Sequence, residues 1–204
     1  MAAASQLREP FETSAMFGDV IARAASYSPA RVAETAIELL ELRPDHAALE
    51  LGCGSGRLLA QVTARVQRGF AAGIDPSPLM VRHARLRNRR WIERGLLDVA
   101  VGASDDLSRW PDRRFDRVYG MHVVYFWEAP ERDLAEVRRV LAPGGRLLLG
   151  FCPAEQAGPS IGPDPARCSL AAAEEWLARA GFSAIEGRCD FDAERPLAWL
   201  RASR

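Results

Sequence analysis

Two acidic residues, three glycines, a histidine and a tyrosine have the types and spacing that point to chemistry. Glu50 stands two positions before Gly52, and Gly52, Gly54 and Gly56 alternate with Cys53 and Ser55. Asp75 follows Gly52 by 23 residues. His122 and Tyr125 lie in the run Met121-His122-Val123-Val124-Tyr125-Phe126-Trp127. Alternating glycines permit positive φ and let a ligand approach bare backbone. A helix starting directly behind them offers unpaired N–H groups and a partial positive charge. A carboxylate about 20 residues further on, at the tip of a neighbouring strand, is placed to accept both hydroxyl protons of a ribose; a helix-capping aspartate is the alternative. Histidine exchanges protons near neutral pH. The aromatic residues at 125–127 suit either the wall of a pocket or a core.

The glycine spacing separates ligand classes. A dinucleotide fingerprint runs G-x-G-x-x-G, but here the third glycine comes one residue early and Arg57 holds its place. No Lys-Ser/Thr pair follows, so the loop is not a phosphate-cradling P-loop. On the residues alone, Leu49 to Leu59 indicates a nucleotide-like ligand, with a ligand-free glycine turn as the competing reading.

The elements that must position these residues follow from apolar patterning and turn signals. Ala47 to Leu51 reads as a strand, and Leu58, Leu59, Val62 and Val66 as the buried side of a helix that Gly69 ends. Phe70 to Ile74 forms a second strand closing at Asp75, because Pro76 holds the residue before it in extended geometry. Ser77 caps the next helix with Pro78 in its first turn, and Leu79, Met80, Val81 and Ala84 form its expected buried side. Further strands are expected at Leu97 to Val101, Phe115 to Gly120 and Arg146 to Phe151. Leu134, Val137, Val140 and Leu141 mark a helix ending before Pro143-Gly144-Gly145. Ala154 to Arg167 reads as a loop and Ser169 as a cap, with Leu170, Ala173 and Leu177 inward. Ala184 to Cys189 and Leu197 to Arg201 read as closing strands. Upstream, residues 1–28 form an arm with a short helix over Met16 to Ala25. Ser28-Pro29 then starts a helix buried through Val32, Ala36, Leu39 and Leu40. Strands alternating with helices predict an α/β fold, a doubly wound parallel sheet with right-handed connections. Ligands of such sheets lie beyond the carboxyl ends of the strands, where Gly52, Asp75, Gly102 and Met121 all fall.

Composition narrows the function. The 204 residues suit one domain, 29–204, after the arm, and 48% apolar against 26% charged is a globular balance. Basic and acidic residues number 27 each, which argues against a general nucleic-acid binder. The one basic cluster, six arginines between Arg82 and Arg94, reads as a solvated helix face. No apolar run approaches the roughly 20 residues that cross a bilayer, and the first residues show no secretory pattern. Cys53, Cys152, Cys168 and Cys189 are scattered, with no C-x-x-C pair. Free thiols, no metal and a cytoplasmic location are the expectation.

Several ordered motifs together resemble the class I S-adenosylmethionine (SAM)-dependent methyltransferases, small-molecule type, over roughly Pro29 to Arg201. Ala48-Leu49-Glu50-Leu51-Gly52-Cys53-Gly54-Ser55-Gly56 is similar to the first motif, and Gly73-Ile74-Asp75-Pro76-Ser77 with Met80 to the second. Phe115-Asp116-Arg117-Val118, Arg139-Val140-Leu141-Ala142-Pro143-Gly144-Gly145 and Ala180-Gly181-Phe182 match later ones. The resemblance implies a Rossmann-like, mostly parallel seven-stranded sheet with an antiparallel last strand, in a three-layer sandwich. It implies SAM as the cofactor, held by Glu50, Gly52, Cys53, Gly54, Gly56, Asp75, Pro76, Ser77, Met80, Ala103, Ser104, Asp105, Met121 and His122. Pro76, Met80 and Leu107 are candidates for an adenine slot. The sequence departs from the family at Gly102-Ala103-Ser104, where a Gly-Asp-Ala is frequent; the acidic side chain near the adenine amine is missing at 103, and Asp105 or the Ser104 backbone is left to replace it. The implied partner is a small-molecule methyl acceptor, with His122 and Tyr125 as catalytic candidates and no membrane. Monomer and homodimer both remain open. An NAD(P)-dependent oxidoreductase is one rival, weakened by the early third glycine and the lack of a Tyr-x-x-x-Lys pair. A SAM-binding partner subunit without turnover is the other.

Overall fold

The structure, a computed structural model, describes residues 29–153, 169–190 and 197–204. The expected arm at 1–28 and the loop at 154–167 lie outside these residues, as does Cys168. Helix α1 (Pro29–Leu40) leads into β1 (Ala47–Leu51), α2 (Arg57–Thr63), β2 (Phe70–Asp75), α3 (Pro78–Arg87), α4 (Arg89–Glu93) and β3 (Leu97–Val101). Strand β4 (Phe115–Met121) and a 3-10 turn over Val124–Phe126 precede α5 (Pro130–Val140) and β5 (Leu141–Phe151); α6 (Leu170–Arg179), β6 (Ser183–Asp190) and β7 (Leu197–Ser203) complete the fold.

One seven-stranded sheet runs in the order β3-β2-β1-β4-β5-β7-β6. Pairings from β3 to β5 are parallel, and β7 is antiparallel to both its neighbours. The sheet reverses its direction of growth between β1 and β4, which opens the ligand crevice at the carboxyl ends of those central strands.

Strand alternation sorts the core onto two faces. Leu49 and Leu51 of β1, Ile74 of β2, Val118 of β4 and Leu147 and Leu149 of β5 pack with Leu134, Val137 and Val140 of α5 and Leu177 of α6. The alternate residues Ala48, Tyr119, Leu148 and Trp199 meet Ala36 and Leu40 of α1 and Val62 of α2. Leu59, Val81, Ala84 and Trp91 continue that second face over β2 and β3. Helices therefore lie on both sides of the sheet, the three layers expected.

Local chemistry sets the joints. Ser77 Oγ accepts the Met80 N–H and Ser169 Oγ accepts the Ala172 N–H, so both expected caps are present. The buried Arg117 donates from Nε to the Leu40 carbonyl at 2.7 Å, tying the last turn of α1 to β4. Two sequence expectations are corrected. Leu79 is 42% exposed, because the buried stripe of α3 runs through Val81 and Ala84 only. Strand β5 begins at Leu141, not Arg146: Pro143-Gly144-Gly145 does not break the strand but falls within it, beside a register shift against β4 at Phe115/Arg117.

Candidate SAM site

The site is built from the carboxyl ends of β1, β2, β3 and β4. Gly52, Gly54 and Gly56 all adopt positive φ (59°, 51° and 73°), yet for different physical reasons. A Cβ on Gly52 would stand 2.6 Å from Val123 Cγ1, so the loop after β4 packs against it. A Cβ on Gly56 would meet Asn88 Nδ2 at 2.6 Å and the Ala84 backbone at 3.1 Å. Gly56 is thus used for close approach of α3 to the N-terminal cap of α2. Only Gly54 faces open space, with no atom within 4 Å of its missing Cβ. Of the three, Gly54 is the one whose bareness suits a ligand.

Asp75 holds this corner. Its Oδ2 accepts the Gly54 N–H at 2.8 Å and its Oδ1 accepts the Ser77 N–H at 2.9 Å. Each carboxylate oxygen keeps a further lone pair for a ribose hydroxyl. Burial raises the Asp75 pKa above the ordinary range, opposed by those two N–H groups. Glu50 sits on the same face of the sheet and is 4% exposed. Burial pushes its pKa well up; the Tyr119 hydroxyl, 3.3 Å from Oε2, opposes this, and the charge of Asp75 adds to it. Glu50 and Tyr119 are register partners on β1 and β4. Two carboxyl groups thus share one desolvated corner beside the glycine loop.

His122 ends β4 in left-handed backbone geometry, φ 57°, a conformation that non-glycine residues adopt rarely and often at functional positions. Its N–H donates to the Gly150 carbonyl at 2.7 Å, and its ring stacks on Tyr125 with Nδ1 3.2 Å from the Tyr125 hydroxyl. Burial lowers its pKa from 6.5 to about 4. The Tyr125 oxygen also receives the Cys152 N–H at 2.6 Å and lies 3.3 Å from the Cys152 carbonyl. In the His122–Tyr125 contact either group serves as donor, according to the imidazole tautomer.

The structure brings Glu50, Gly52, Gly54, Asp75, Ser77, Ala103, Ser104, Asp105, Met121 and His122 to one end of the sheet. Other sequence candidates are placed differently. The Cys53 side chain turns into the core, with burial raising its thiol pKa, so only its backbone borders the loop. Leu107 is wholly buried against the α5 face and does not line an adenine slot. Pro76 is exposed, and Met80 is half-buried. Of the aromatic run, Trp127 belongs to the core, while Tyr125 and Phe126 are half-buried.

Several supporting residues had no motif to mark them. Arg87 Nε donates to the Ser55 carbonyl at 2.8 Å, and Asn88 Nδ2 donates to the Gly56 carbonyl at 3.0 Å, so the end of α3 grips the glycine loop. On the other side, Asp133, Glu136 and Arg139 form a polar row along α5, one residue every three. Glu136 Oε2 accepts the Leu107 N–H at 2.9 Å, and Arg139 Nη1 donates to the Trp110 carbonyl at 3.0 Å and to Asp112 Oδ1 at 2.8 Å. The row fastens the loop between β3 and β4 to the helix. An i, i+3, i+6 repeat of charged residues was the only sequence signal, and it reads equally as a solvent face.

Comparison with known proteins agrees with this geometry. A methyltransferase-domain family model matches residues 49–149. The trans-aconitate 2-methyltransferase of Methylobacterium radiotolerans is 31% identical over 156 residues, covering 75% of this chain and 55% of that protein. A tRNA U34 carboxymethyltransferase of Pseudoalteromonas translucida is 29% identical over 168 residues, covering 74% of this chain and 50% of that protein. The chain thus spans about half the length of these curated relatives. A SAM-dependent methyltransferase structure from Aquifex aeolicus superposes with a TM-score of 0.73 at 19% identity, covering 91% of this chain and 97% of that one. These matches support a class I SAM-dependent methyltransferase with SAM as its cofactor.

Proposed function

We propose that this protein transfers the methyl group of SAM to a small-molecule acceptor. The observation that carries the reading is the pair of buried carboxyl groups, Glu50 and Asp75, beside the open face of Gly54. A ligand bearing sulfonium and ammonium charges would favour their ionised forms. An anionic pyrophosphate would meet like charge there. SAM supplies a methyl group already activated by the sulfonium. Asp75 holds the ribose, the Gly54 backbone admits the methionine portion, and the segment from Met121 to Tyr125 faces the acceptor. These residues align the nucleophile with the methyl carbon and exclude water.

His122 acts on the acceptor. With its pKa near 4 it is neutral at working pH, the form of an imidazole that can take a proton from an O–H or N–H nucleophile. So weak a base suits a proton that moves late, after the methyl carbon has begun to bond. Tyr125 orients the ring through stacking and the 3.2 Å contact with Nδ1. A His122→Gln variant should lower kcat about 10- to 100-fold and leave SAM affinity within threefold.

An RNA acceptor is the second reading, favoured by the tRNA-modifying relative. Arg89, Arg90 and Arg94 are exposed, but they precede β3 and so lie toward the amino end of that strand, whereas Asp75 is at the carboxyl end of the neighbouring parallel strand. Calorimetry with SAM and NAD tests the cofactor side: SAM should bind and NAD should not. Incubation with methyl-labelled SAM and separated metabolite and RNA fractions tests the acceptor. Label should enter the metabolite fraction; label confined to RNA would overturn the small-molecule reading, and SAM binding with no label transferred in either fraction would overturn turnover.

A further inference from the structure

Charge is divided across this molecule in a way that the proposed chemistry does not use. The segment from Gly52 to Arg94 holds nine arginines and two acidic residues, Asp75 and Glu93. The other 18 basic and 25 acidic residues lie outside it, so a chain of zero net charge carries +7 on this segment and −7 on the rest. Asp75 is buried, which leaves Glu93 as the one exposed acid of the segment. All nine arginines are exposed. They stand on α2, α3, α4 and the turns that follow them. These helices pack as one layer over β2 and β3 through Leu59, Val81, Ala84 and Trp91. The basic residues therefore share one side of the molecule, toward the β3 edge of the sheet.

The partners of these arginines differ from those elsewhere. Arg109, Arg139, Arg146, Arg179 and Arg201 each pair with a carboxylate. Among the described residues of the basic side only Arg89 does, with Glu93 at 2.6 Å. Arg65, Arg85 and Arg87 donate to the Gln61, Val99 and Ser55 carbonyls, and Arg90 and Arg94 lie over the Trp91 ring, 4.6 and 5.1 Å from its centroid. None of these contacts cancels the positive charge. A solvated helix face, the sequence expectation for Arg82 to Arg94, accounts for the exposure but not for so few counter-charges.

Apolar side chains are exposed on the same side. The large exposed hydrophobic residues among those described are Leu79 (42%), Leu86 (65%) and Val101 (52%), two on α3 and one on β3. Leu79 and Leu86 are seven residues apart and so lie on one face of α3, with Arg82 between them. This combination selects among anionic partners. A nucleic-acid backbone would engage the guanidinium groups and gain nothing from the leucines, and the indole that could stack a base is 7% exposed beneath Arg90 and Arg94. A protein interface needs an apolar core, which three side chains do not supply. An anionic bilayer surface uses what is present: apolar side chains that reach the acyl boundary and cations that meet lipid phosphates.

We infer that the α2–α3–α4 side is a peripheral docking surface for an anionic lipid membrane, with Leu79 and Leu86 as apolar anchors among the arginines. No described helix is long and apolar enough to cross a bilayer, so the contact is with one leaflet. Val101 is the register partner of Asp75, so docking brings the SAM corner to within one strand of the lipid surface.

Co-sedimentation of the full chain with vesicles tests this and does not depend on SAM binding. Vesicles of equal parts phosphatidylserine and phosphatidylcholine should bind the protein, with affinity falling as salt rises; vesicles of phosphatidylcholine alone should not. Arg68→Gln with Arg82→Gln should weaken binding about 10- to 30-fold, the weight of two cations at an anionic surface. Arg179→Gln with Arg188→Gln removes two charges from α6 and β6, at the opposite edge of the sheet, and should leave binding within about twofold. Leu86→Ser should weaken it about fivefold. All five side chains are exposed, so the substitutions leave the core intact. No binding to the anionic vesicles overturns the inference, as do equal losses in the two arginine pairs and binding indifferent to Leu86→Ser. Binding to an RNA duplex in place of the vesicles would also overturn it, in favour of a nucleic-acid face.

Discussion

The two sides of the site are held by opposite means. At the β1–β2 corner the backbone does the work: three glycines with positive φ, a buried Asp75 accepting two backbone N–H groups, and Arg87 and Asn88 gripping carbonyls. At the β3–β4 side a loop without regular structure is held by side chains, through the row Asp133, Glu136 and Arg139. The first arrangement is least tolerant at Gly56, where Asn88 and the Ala84 backbone pass within contact distance. The second can exchange residues provided donors and acceptors are kept. A corner built from backbone fixes the atoms a ligand meets; a side-chain-fastened loop can be retuned by substitution.

Substitutions at the glycines should break the corner most severely. Gly56→Ala combines left-handed strain with a clash against Asn88 Nδ2 and a tight contact with Ala84, and should cost about 3 kcal/mol in urea unfolding. Gly54→Ala, at similar φ but in open space, should cost only about 1 kcal/mol, yet weaken SAM binding tenfold or more in the same preparation. Equal effects of the two changes on stability would show that the glycines are not used differently.

Asp75→Asn probes the carboxylate itself. An amide has one acceptor oxygen and cannot receive both the Gly54 and Ser77 N–H groups with the same geometry. SAM affinity should fall about 10- to 100-fold, read by calorimetry.

Acid unfolding sharpens the comparison further. The folded-state pKa of His122 lies below its unfolded value, so the fold refuses a proton that the unfolded chain accepts. The stability this neutral histidine keeps is present above pH 6.5 and is lost as pH falls from there to about 4. Asp133, raised from 3.8 to about 6, works in the opposite sense over most of that window. Thermal melts of His122→Gln against wild type isolate the first effect: the variant should gain relative stability as pH falls from 6.5 to 4, by up to about 3 kcal/mol. A constant difference would contradict the burial of the ring.

The smallest effect is expected on the side-chain-held loop. Arg139→Ala removes the bonds to Trp110 and Asp112, with Arg139 itself about a quarter exposed. It should cost about 1 kcal/mol and raise the KM for SAM severalfold without lowering kcat.

This contrast also governs what could be read from the sequence. The corner was legible because each of its requirements restricts residue type locally: glycine for positive φ, Ser77-Pro78 for a cap, an acid at a strand end before proline. The closing strands and the cap at Ser169 were legible for the same reason. The other side depends on partners 29 residues apart, Ser104 with Asp133 and Leu107 with Glu136. Nothing local distinguishes such an aspartate from one on a solvent face. Leu107 misled for a related reason: a leucine after a strand end suits a ligand slot or a core equally, and tertiary packing put it in the core. The reach of β5 back to Leu141 was hidden by Pro143-Gly144-Gly145, which ends most strands but here is absorbed within one.

The central claim is that Glu50 and Asp75 form a desolvated carboxyl corner suited to a cationic ligand. Calorimetry of SAM binding near pH 6.5, repeated in buffers of different ionisation enthalpy, tests it most directly. Net proton release on binding is predicted, and Glu50→Gln should diminish it. SAM binding without proton release, or binding of NAD in place of SAM, would contradict the account.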